Sequence, residues 1–374
     1  MSETDSKFPI KAVALSFGAG AVLVAGLWGV ASAASSNGLP EAGPTSKPAP
    51  SAGAIEPSRT PAPEDDTVDP APVAEVAECK SATTTVGSAE DLQSALDSAQ
   101  PGDVIAIAPG TYEGNFVAET SGTKDAPITL CGTKESVLTA GGIKEKYVFH
   151  LDQAKYWHLV GFSITDGQKG LMADTTVGSI IEGLTVSKTG DEAIHLRNFS
   201  TDNIVRGNTI SDTGHRKPKF GEGIYIGTAE SNWCENSDCK PDASDRNQVL
   251  DNVIFDTSSE SIDIKEGTKD GIVRGNTFDG SKMTGDFADS WVDVKGNNWI
   301  IEGNTGKNSP LDGFQTHEIV DGMGTDNIFR NNIAVVNGPG FGYSLTPERG
   351  NVVECSNKAT AAAEGVSNVP CQDS

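Results

Sequence analysis

Two short stretches of the chain alternate apolar and polar residues in the manner of β-strands. They are Glu260–Lys265 and Ser290–Lys295. Successive side chains of a strand point to opposite faces, so the aliphatic residues are predicted to face inward and the Asp and Lys residues outward. Each stretch precedes the same turn phrase, an apolar residue, two variable residues and Asn, as in Val273–Asn276 and Ile301–Asn304. The chain therefore contains a structural repeat, and the repeat determines the predicted fold class.

The repeat extends through most of the chain, with an alternating strand ahead of each copy of the turn phrase. The central outward residues align as His150, Met172, His195, Tyr225, Asp263, Asp293, Gln315 and Ser344. Consecutive positions in this alignment are 22 to 38 residues apart in the sequence. The shortest spacing is typical of one coil of a right-handed parallel β-helix, and the longer spacings predict loops inserted on one side.

The recurring Asn distinguishes this fold from the alternative, an antiparallel sandwich with turn-rich strands. In stacked coils, an Asn at the same turn can hydrogen-bond to its neighbours above and below, and it tolerates the left-handed backbone. A sandwich would not place Asn at a fixed offset from each strand. We therefore predict an all-β, right-handed parallel β-helix.

An N-terminal helix is predicted to cap this solenoid. Ser88–Ala99 has Ser88 as N-cap, and Leu92 and Leu96 lie on one face. Pro101 and the glycine after it end the helix. A short amphipathic helix at this position covers the open end of the core.

The residues before the repeat divide into two segments. Residues 1–34 contain an uncharged apolar run followed by small residues, as in a signal peptide, and the run is also long enough to be a membrane anchor. Residues 35–77 contain nine prolines and are predicted to be a disordered linker. Residues 78–374 are predicted to form one β-helix domain. Either interpretation of 1–34 places that domain outside the cytoplasm, secreted or at the cell surface, with membrane contact only through the N-terminal segment.

All six cysteines lie after the predicted export segment, residues 1–34. Proximity in the sequence favours the pairs Cys79–Cys131, Cys234–Cys239 and Cys355–Cys371. None has the spacing of a metal site, so disulfides in an oxidising compartment are the better interpretation.

The chain is acidic, with a formal net charge of −24. This charge excludes nucleic acid as a natural partner. It also opposes a polyanionic substrate unless bound cations or a local basic patch intervene, and a neutral glycan is the alternative substrate. The densest basic cluster, His215, Arg216, Lys217 and Lys219, is either a contact for an anionic polymer or a polar loop.

The opening of the repeat resembles a known superfamily. Leu92–Leu96, Pro101–Asp103, Pro109–Tyr112 and Pro127–Leu130 are similar to the opening of the pectate-lyase-like β-helix proteins, and most similar to the group of alginate lyase and chondroitinase B. The resemblance covers about residues 86 to 356. It implies a carbohydrate polymer as partner, and it indicates fold more strongly than activity.

Outward residues of adjacent coils stack in a row, so chemistry can accumulate in one groove. The predicted groove residues are Glu192, His195, Arg197, Tyr225, Glu260, Asp263, Lys265, Trp291, Asp293, Lys295, Gln315 and His317. Asp263 and Asp293 would be about 5 Å apart in neighbouring coils, and such carboxylates repel unless a cation or lysines compensate. We therefore expect Ca²⁺ as a cofactor, with Glu260, Asp263 and Asp293 as its ligands.

The resemblance implies a Lys base, an Arg and carboxylate-held Ca²⁺. Lys265 matches the base, and Lys295 stands where the group has Arg. The predicted catalytic residues are Lys265, Lys295, Asp263, Asp293 and His195. The predicted substrate-binding residues are Arg197, Tyr225, Trp291, Gln315 and His317.

Three interpretations of this row remain open. The first is a monomeric lyase that cleaves a uronate-containing glycan by β-elimination, with Lys265 as base and Tyr225 as a possible proton donor. The second is a glycoside hydrolase that uses Asp263 and Asp293. The third is a non-catalytic glycan-binding surface on which the charges form a solvated ladder. Trp291 is either a platform for sugar stacking or a buried residue.

Overall fold

The computed structural model describes residues 77–373, in which nearly all regular structure is parallel β-sheet. The expected export segment, 1–34, lies outside the described residues, and so does the linker, 35–77, apart from Ala77. None of the helices in the described part is long and apolar enough to span a membrane.

Three parallel sheets form the sides of a solenoid of about 10 turns. Sheet 1 has eleven strands: Thr84–Val86, Val104–Ile107, Ile128–Cys131, Trp157–Val160, Ile180–Glu182, Ile204–Arg206, Gln248–Leu250, Ile272–Arg274, Ile300–Glu302, Ile328–Arg330 and Val352–Val353. Sheet 2 has ten strands: Gly110–Glu113, Ser136–Thr139, Ser163–Thr165, Thr185–Ser187, Thr209–Ser211, Val253–Phe255, Thr277–Asp279, Thr305–Lys307, Ile333–Gly338 and Lys358–Ala362. Sheet 3 also has ten: Phe116–Ala118, Tyr147–Asp152, Lys169–Asp174, Ile194–Arg197, Ile224–Ile226, Ile262–Ile264, Val292–Val294, Phe314–Thr316, Phe341–Leu345 and Gly365–Ser367.

Each turn of the chain contributes one strand to each sheet, and each strand pairs with its counterpart in the next turn. Inward-facing residues of the short strands, such as Ile262, Ile264, Val292 and Val294, are fully buried. A single hydrophobic core runs along the axis. The predicted right-handed parallel β-helix is therefore confirmed.

The predicted column of asparagines is present inside the solenoid. The side-chain amides of Asn208, Asn252, Asn276, Asn304, Asn332 and Asn357 form one chain of hydrogen bonds of 2.9 to 3.0 Å. Each amide nitrogen also donates to a backbone carbonyl of the preceding coil, as Asn276 does to Val249 at 2.9 Å. These bonds satisfy polar groups that would otherwise be costly to bury.

The helices are short. The capping helix spans Ala89–Ser98, and the Ser88 hydroxyl accepts a hydrogen bond from the Asp91 amide at 3.1 Å, as predicted. Leu92 and Leu96 are buried against the first coils. The other helical elements are Ala77–Ser81, Pro218–Phe220, Glu230–Asn232 and Trp233–Asn236.

All three predicted disulfides are formed. Cys79–Cys131 joins the N-terminal segment to sheet 1, Cys234–Cys239 closes part of the longest insertion, and Cys355–Cys371 fastens the C-terminal segment. Two of the bridges therefore lie near the ends of the solenoid, where terminal coils have a neighbour on one side only.

Candidate functional site

The outer face of sheet 3 carries the row of residues that the repeat predicts. The observed register pairs His150 with Met172, Met172 with His195, and so on through Tyr225, Asp263, Asp293, Gln315 and Ser344. All eight positions match the alignment made from the sequence. Asp263 and Asp293 are direct partners in neighbouring strands.

The centre of this row is a chain of alternating charges. Lys265 contacts Asp263 at 2.5 Å, and Lys295 bridges Asp263 and Asp293 at 2.7 and 2.5 Å. His317 completes the chain with a 2.8 Å contact to Asp293. The side chains of both aspartates are only 3 to 5 % exposed. A solvated ladder is therefore the wrong description of these groups, because almost all of their charge is screened from water by protein.

The pairing determines the charge state of the row. Burial opposes ionisation of Lys265 and Lys295, but the adjacent aspartates outweigh it and raise the pKa of both amines. Burial likewise opposes ionisation of Asp293, whereas Lys295 and His317 lower the pKa of its carboxyl group. A hydrogen bond to Asp293 raises the pKa of His317. Both lysines are thus ammonium ions in the ligand-free protein.

Two cavities adjoin each other over this face. The larger, of about 550 Å³, lies over the strands that carry His195 and Tyr225 and is called the N-side cavity. The smaller, of about 390 Å³, lies over the strands that carry Asp263 and Asp293 and is called the C-side cavity. Lys219, Glu222 and Lys265 line both, so they mark the boundary. Together the cavities form one groove.

Loops inserted between coils build the walls of the groove. The insertion between Tyr225 and Asp263 contributes Ser231, Asn232 and Asn236 to the N-side cavity. The residues 285–289 contribute to the C-side cavity. The longer repeat spacings therefore do correspond to walls on the functional face.

An aromatic and cationic cluster lies beside the boundary. The Lys265 ammonium is 4.9 Å from the centroid of the Tyr225 ring, and that ring is 4.4 Å from the His195 ring. Burial, and then the Asp263 charge, raise the pKa of the Tyr225 phenol well above its ordinary value. Among the described residues its hydroxyl makes no hydrogen bond, so the phenol is a protonated donor available to a ligand.

His195 is held through both ring nitrogens. Nε2 donates to the Gly227 carbonyl at 3.0 Å, so Nδ1 carries the lone pair and accepts from Lys169 at 3.3 Å. Burial, and then the charge of Lys169, lower the pKa of the imidazole. A neutral histidine with both nitrogens occupied suits a positioning role, although the sequence predicts a catalytic one.

Only some of the predicted substrate-binding residues line the groove. Tyr225 and Arg197 line the N-side cavity, and Arg197 also contacts Asp174 at 2.7 Å. Gln315 is buried and donates to Asp312, and it lines neither cavity. His317 also lines neither, since it faces Asp293.

The prediction that Trp291 binds substrate is wrong. Its side chain is fully buried in the core, 5.7 Å from Phe314, and its indole nitrogen donates to the Lys307 carbonyl. Trp291 precedes the strand Val292–Val294, so the strand alternation does not extend to it. Gly306 makes the space, because a Cβ atom there would lie 2.4 Å from a Trp291 ring carbon.

Carboxyl groups without a basic partner line the C-side cavity. Within the part of the chain that the structure describes, Glu222, Glu260 and Asp289 form no ion pair. Burial, followed by neighbouring carboxylates, raises the pKa of Glu222 well above its ordinary range and that of Glu260 to about 7. In addition, Oε2 of Glu222 is buried without a hydrogen-bond partner.

These carboxylates fit a hard divalent cation such as Ca²⁺. Oxygens of Glu222, Glu260 and Asp263 lie within 4.8 Å of one another, and so do oxygens of Glu260, Asp289 and Asp293. Oxygen-only donors and an orphaned carboxylate oxygen suit Ca²⁺. The three ligands predicted from the sequence are divided between the two groups, which share Glu260.

The sequence did not indicate several residues of the site. Glu222 and Lys169 lie on or beside strands of the same repeat, so the alignment of the repeat could have placed both residues in the groove. Asp289 and Lys219 lie in insertions, to which the repeat assigns no position. The basic cluster around Lys219 was visible in the sequence, but its relation to the groove was not.

Comparisons with known proteins support the interpretation of the fold. No family model matches the chain, and no curated protein sequence matches it. Among solved structures, an alginate lyase from Paenibacillus sp. str. FPU-7 is 33% identical, with a TM-score of 0.72, over 77% of this chain and 99% of that one. The pectate lyase Pel9A is 13% identical, with a TM-score of 0.52, over 75% of this chain and 80% of that one, and this likeness concerns the fold alone.

A parallel β-helix with a charged, loop-walled groove on one sheet, similar in structure to polysaccharide lyases, defines the class as a polysaccharide-active β-helix protein. Because the similarity to the Paenibacillus protein extends over nearly all of that chain, the protein belongs to the family of this alginate lyase.

Proposed function

We propose that the protein is a lyase that cleaves a uronate-containing polysaccharide by β-elimination in the groove on sheet 3. The observation that carries this proposal is that Lys265, at the boundary of the two cavities, lies 4.9 Å from the ring of Tyr225, which lines the N-side cavity. The name of the Paenibacillus relative makes alginate the first substrate to test.

β-Elimination needs a group to accept the C5 proton and another to protonate the leaving oxygen at C4. We assign these roles to Lys265 and Tyr225 respectively, because both project into the groove beside each other. The raised pKa of Tyr225 keeps its proton in place for the leaving oxygen. The contact with Asp263 favours the ammonium form of Lys265, so the base forms by loss of a proton and activity is expected to increase toward alkaline pH.

The pH profile also tests a second base, Glu260. The pKa of its carboxyl group is about 7, close to the value that suits a general base at neutral pH. If Lys265 is the base, kcat/KM continues to rise well above neutrality. A plateau just above pH 7 would transfer the role to Glu260.

The elimination also requires that the uronate carboxylate be neutralised, because its charge opposes removal of the C5 proton. Lys265 is uncharged when it acts as the base, so a different cation has to supply this charge. Glu222, Glu260 and Asp263 would hold Ca²⁺, which supplies positive charge to a carboxylate when bound. We therefore expect a chelator to lower activity and added Ca²⁺ to restore it.

Glycoside hydrolysis is the second candidate function, and the close carboxyl groups of Glu222 and Glu260 favour it. Their oxygens lie within 4.8 Å, a short separation of the kind that retaining hydrolases use. Asp263 and Asp293, the pair proposed from the sequence, are each engaged by lysine. A hydrolase would release saturated sugars, whereas a lyase leaves a double bond at the new non-reducing end.

The proposal includes location. Three disulfides favour an oxidising compartment, so we propose that the domain 78–374 acts outside the cytoplasm as a monomer, exported through residues 1–34 and separated from the cell by the linker 35–77.

The deciding experiment measures ultraviolet absorbance of unsaturated products from polymannuronate, polyguluronate, polygalacturonate and chondroitin. The wild type should produce absorbance from at least one polymer. Lys265→Ala should reduce the rate about 10³-fold. Lys307→Ala, which removes an exposed lysine of sheet 2, is the matched control and should act like the wild type. No absorbance from any polymer, or an undiminished rate in Lys265→Ala, would contradict the proposal.

A further inference from the structure

Lys219 lies at the boundary of the two cavities and differs from every other cation in the groove. We infer that Lys219 binds the carboxylate of the sugar unit that spans the boundary and thereby selects uronate over uncharged sugar. This inference rests on the proposed function, since it names a residue that recognises the anionic substrate. It concerns binding and assigns no proton transfer to Lys219.

The other lysines and arginines that line the groove are already neutralised by the protein. Each contacts a carboxylate of the row or of its flanks, namely Lys169–Glu192 at 2.7 Å, Arg197–Asp174 at 2.7 Å, Arg216–Asp191, Lys265–Asp263 at 2.5 Å and Lys295–Asp263 at 2.7 Å. A paired cation exerts a weak net field on a third group. Lys219 contacts no carboxylate among the described residues, so its full charge is available to an incoming anion.

The charge balance of the groove gives this difference its importance. Besides Lys219, the C-side cavity is lined by two lysines and by six acidic residues, Glu222, Glu260, Asp263, Asp286, Asp289 and Asp293. Such a surface repels a polyuronate at long range. An unpaired ammonium at the entrance to this half supplies the attraction that the paired lysines do not.

The backbone around Lys219 is fixed although its side chain is exposed. Lys219 lies in the short helical turn Pro218–Phe220, and the Ser258 hydroxyl donates to the Pro218 carbonyl at 2.8 Å. Gly221 ends the turn in a position where a Cβ atom would lie 2.0 Å from the Ser258 oxygen. The turn is therefore closely packed onto the next coil, which limits the volume that the ammonium can explore.

Phe220 further restricts the ammonium. The Lys219 amine lies 4.6 Å from the centroid of the Phe220 ring, a cation–π distance. This contact leaves the charge unneutralised while it orients the amine. Because Lys265 and Glu222 share the boundary with Lys219, a carboxylate held there would place its sugar next to the proposed base.

Lys217 provides a matched control two residues away. Its amine lies 5.3 Å from the centroid of the same Phe220 ring, and it also lacks an acidic partner in the described chain. However, it lines neither cavity. The two lysines thus share the loop, the charge and the aromatic contact, and they differ in access to the groove.

The test compares Lys219→Ala and Lys217→Ala in full-length protein, with the cleaved uronate polymer as substrate. An ammonium–carboxylate contact at a partly exposed site predicts that Lys219→Ala raises KM about tenfold with kcat changed less than about threefold. Lys217→Ala should change KM less than about twofold. Lys219→Arg should recover most of the affinity, and Lys219→Glu should weaken binding further than Lys219→Ala.

A second substrate isolates the carboxylate. Binding of uronate oligosaccharides, and of the same oligosaccharides with carboxyl groups reduced to alcohols, is measured by calorimetry. The affinity loss in Lys219→Ala should occur with the uronate ligand alone. An equal loss with both ligands, or equal effects of Lys217→Ala and Lys219→Ala on KM, would overturn the inference.

The outcomes separate this inference from the proposed function. A wild type that cleaves a uronate polymer while Lys219→Ala retains its KM leaves the lyase proposal in place and rejects the role of Lys219. Uronate binding that depends on Lys219, without any unsaturated product, supports the inference and rejects the lyase. Absence of both binding and cleavage with every uronate ligand rejects both.

Discussion

The outer faces of sheet 1 and sheet 3 carry similar rows of charges in different surroundings. On sheet 1, Glu302 contacts Arg274 at 3.1 Å and Arg330 at 3.3 Å. On sheet 3, Asp263 contacts Lys265 and Lys295. The arginines of sheet 1 have 50 and 33 % of their side chains exposed, whereas the lysines of sheet 3 have 14 and 10 %.

The comparison shows what converts a solvated ladder into a candidate site. On both faces an acid contacts two bases: Glu302 is stacked between Arg274 and Arg330, whereas Asp263 contacts Lys265 of its own coil and Lys295 of the next. Insertions that line the cavities occur on sheet 3, and they exclude water from its row. Electrostatic interactions strengthen as water is excluded, and the cost of an unpaired charge increases with them. The difference between the two faces therefore lies in the loops more than in the strands.

The largest expected difference is in stability on removal of the central acid. Asp263→Ala leaves two buried ammonium groups without their shared partner and should destabilise the protein by about 3–5 kcal/mol. Glu302→Ala leaves two arginines that reach water and should cost less than about 1 kcal/mol. Urea unfolding followed by circular dichroism measures both. Similar costs for the two variants would mean that the sheet 3 row is solvated after all.

The pH dependence of stability should have opposite signs on the two faces. The raised pKa of Glu260, about 7, means that the folded state retains a proton that the unfolded chain releases near its ordinary pKa. Stability from Glu260 is therefore present below that ordinary pKa and is lost as pH rises to about 7. Although burial opposes ionisation of Glu302, its arginine partners lower its pKa, so its contribution is present above the ordinary pKa and is lost as pH falls.

Thermal unfolding from about pH 4 to about pH 8 tests this difference with Glu260→Gln and Glu302→Gln. The first variant should gain stability relative to the wild type as pH rises, by about 3 kcal/mol, and the second should lose a smaller amount. A Glu260→Gln curve parallel to that of the wild type would show that folding does not raise the pKa of Glu260.

The register of both rows follows from the sequence because it depends on strand alternation and a repeated turn. Asn276 and Asn304 mark the same point in successive coils, and this fixes Asp263 opposite Asp293 without knowledge of the loops. Parallel pairing then leaves little freedom, since a shift of one residue would turn the apolar face outward. Long-range strand pairing was thus predictable from local pattern.

The predictions that failed concern residues beyond the ends of the alternating strands. Trp291 immediately precedes a three-residue strand, and its direction depends on the space left by Gly306. Lys219 and Asp289 lie in insertions whose path no repeat determines. The charge state of Lys265 also could not be predicted, because it depends on how closely Asp263 approaches and on how completely loops cover the pair.

Histidines on the two faces offer a comparison of function. His195 packs beside Tyr225 and holds the start of the long insertion through Gly227, whereas His158 on sheet 1 contacts Glu182 at 2.9 Å. His195→Ala should lower kcat/KM about tenfold, because the Tyr225 ring and the loop lose a common support. His158→Ala should change it less than about twofold.

Two readouts separate positioning by His195 from proton transfer. His195→Gln retains an N–H group that can donate to the Gly227 carbonyl and should recover much of the activity. The pH profile of kcat/KM should keep its shape in both His195 variants, since the imidazole is neutral in the wild type. A pH limb that disappears in His195→Gln would instead identify His195 as an acid or base.

The smallest expected effect is the response of each row to salt. At about 1 M NaCl the screening length is about 3 Å, so exposed pairs lose most of their attraction while buried pairs retain theirs. The stability difference between wild type and Glu302→Ala, a few tenths of a kcal/mol, should become negligible in high salt. The difference between wild type and Asp263→Ala should change little, because no mobile ions enter between Asp263 and its lysines. Unfolding midpoints of the three proteins at low and high salt measure this, and comparison within each salt condition cancels the effect of salt on the rest of the fold. If salt reduced the Asp263 difference by half or more, solvent would reach the row, and the groove could not maintain the charge states on which the proposed chemistry depends.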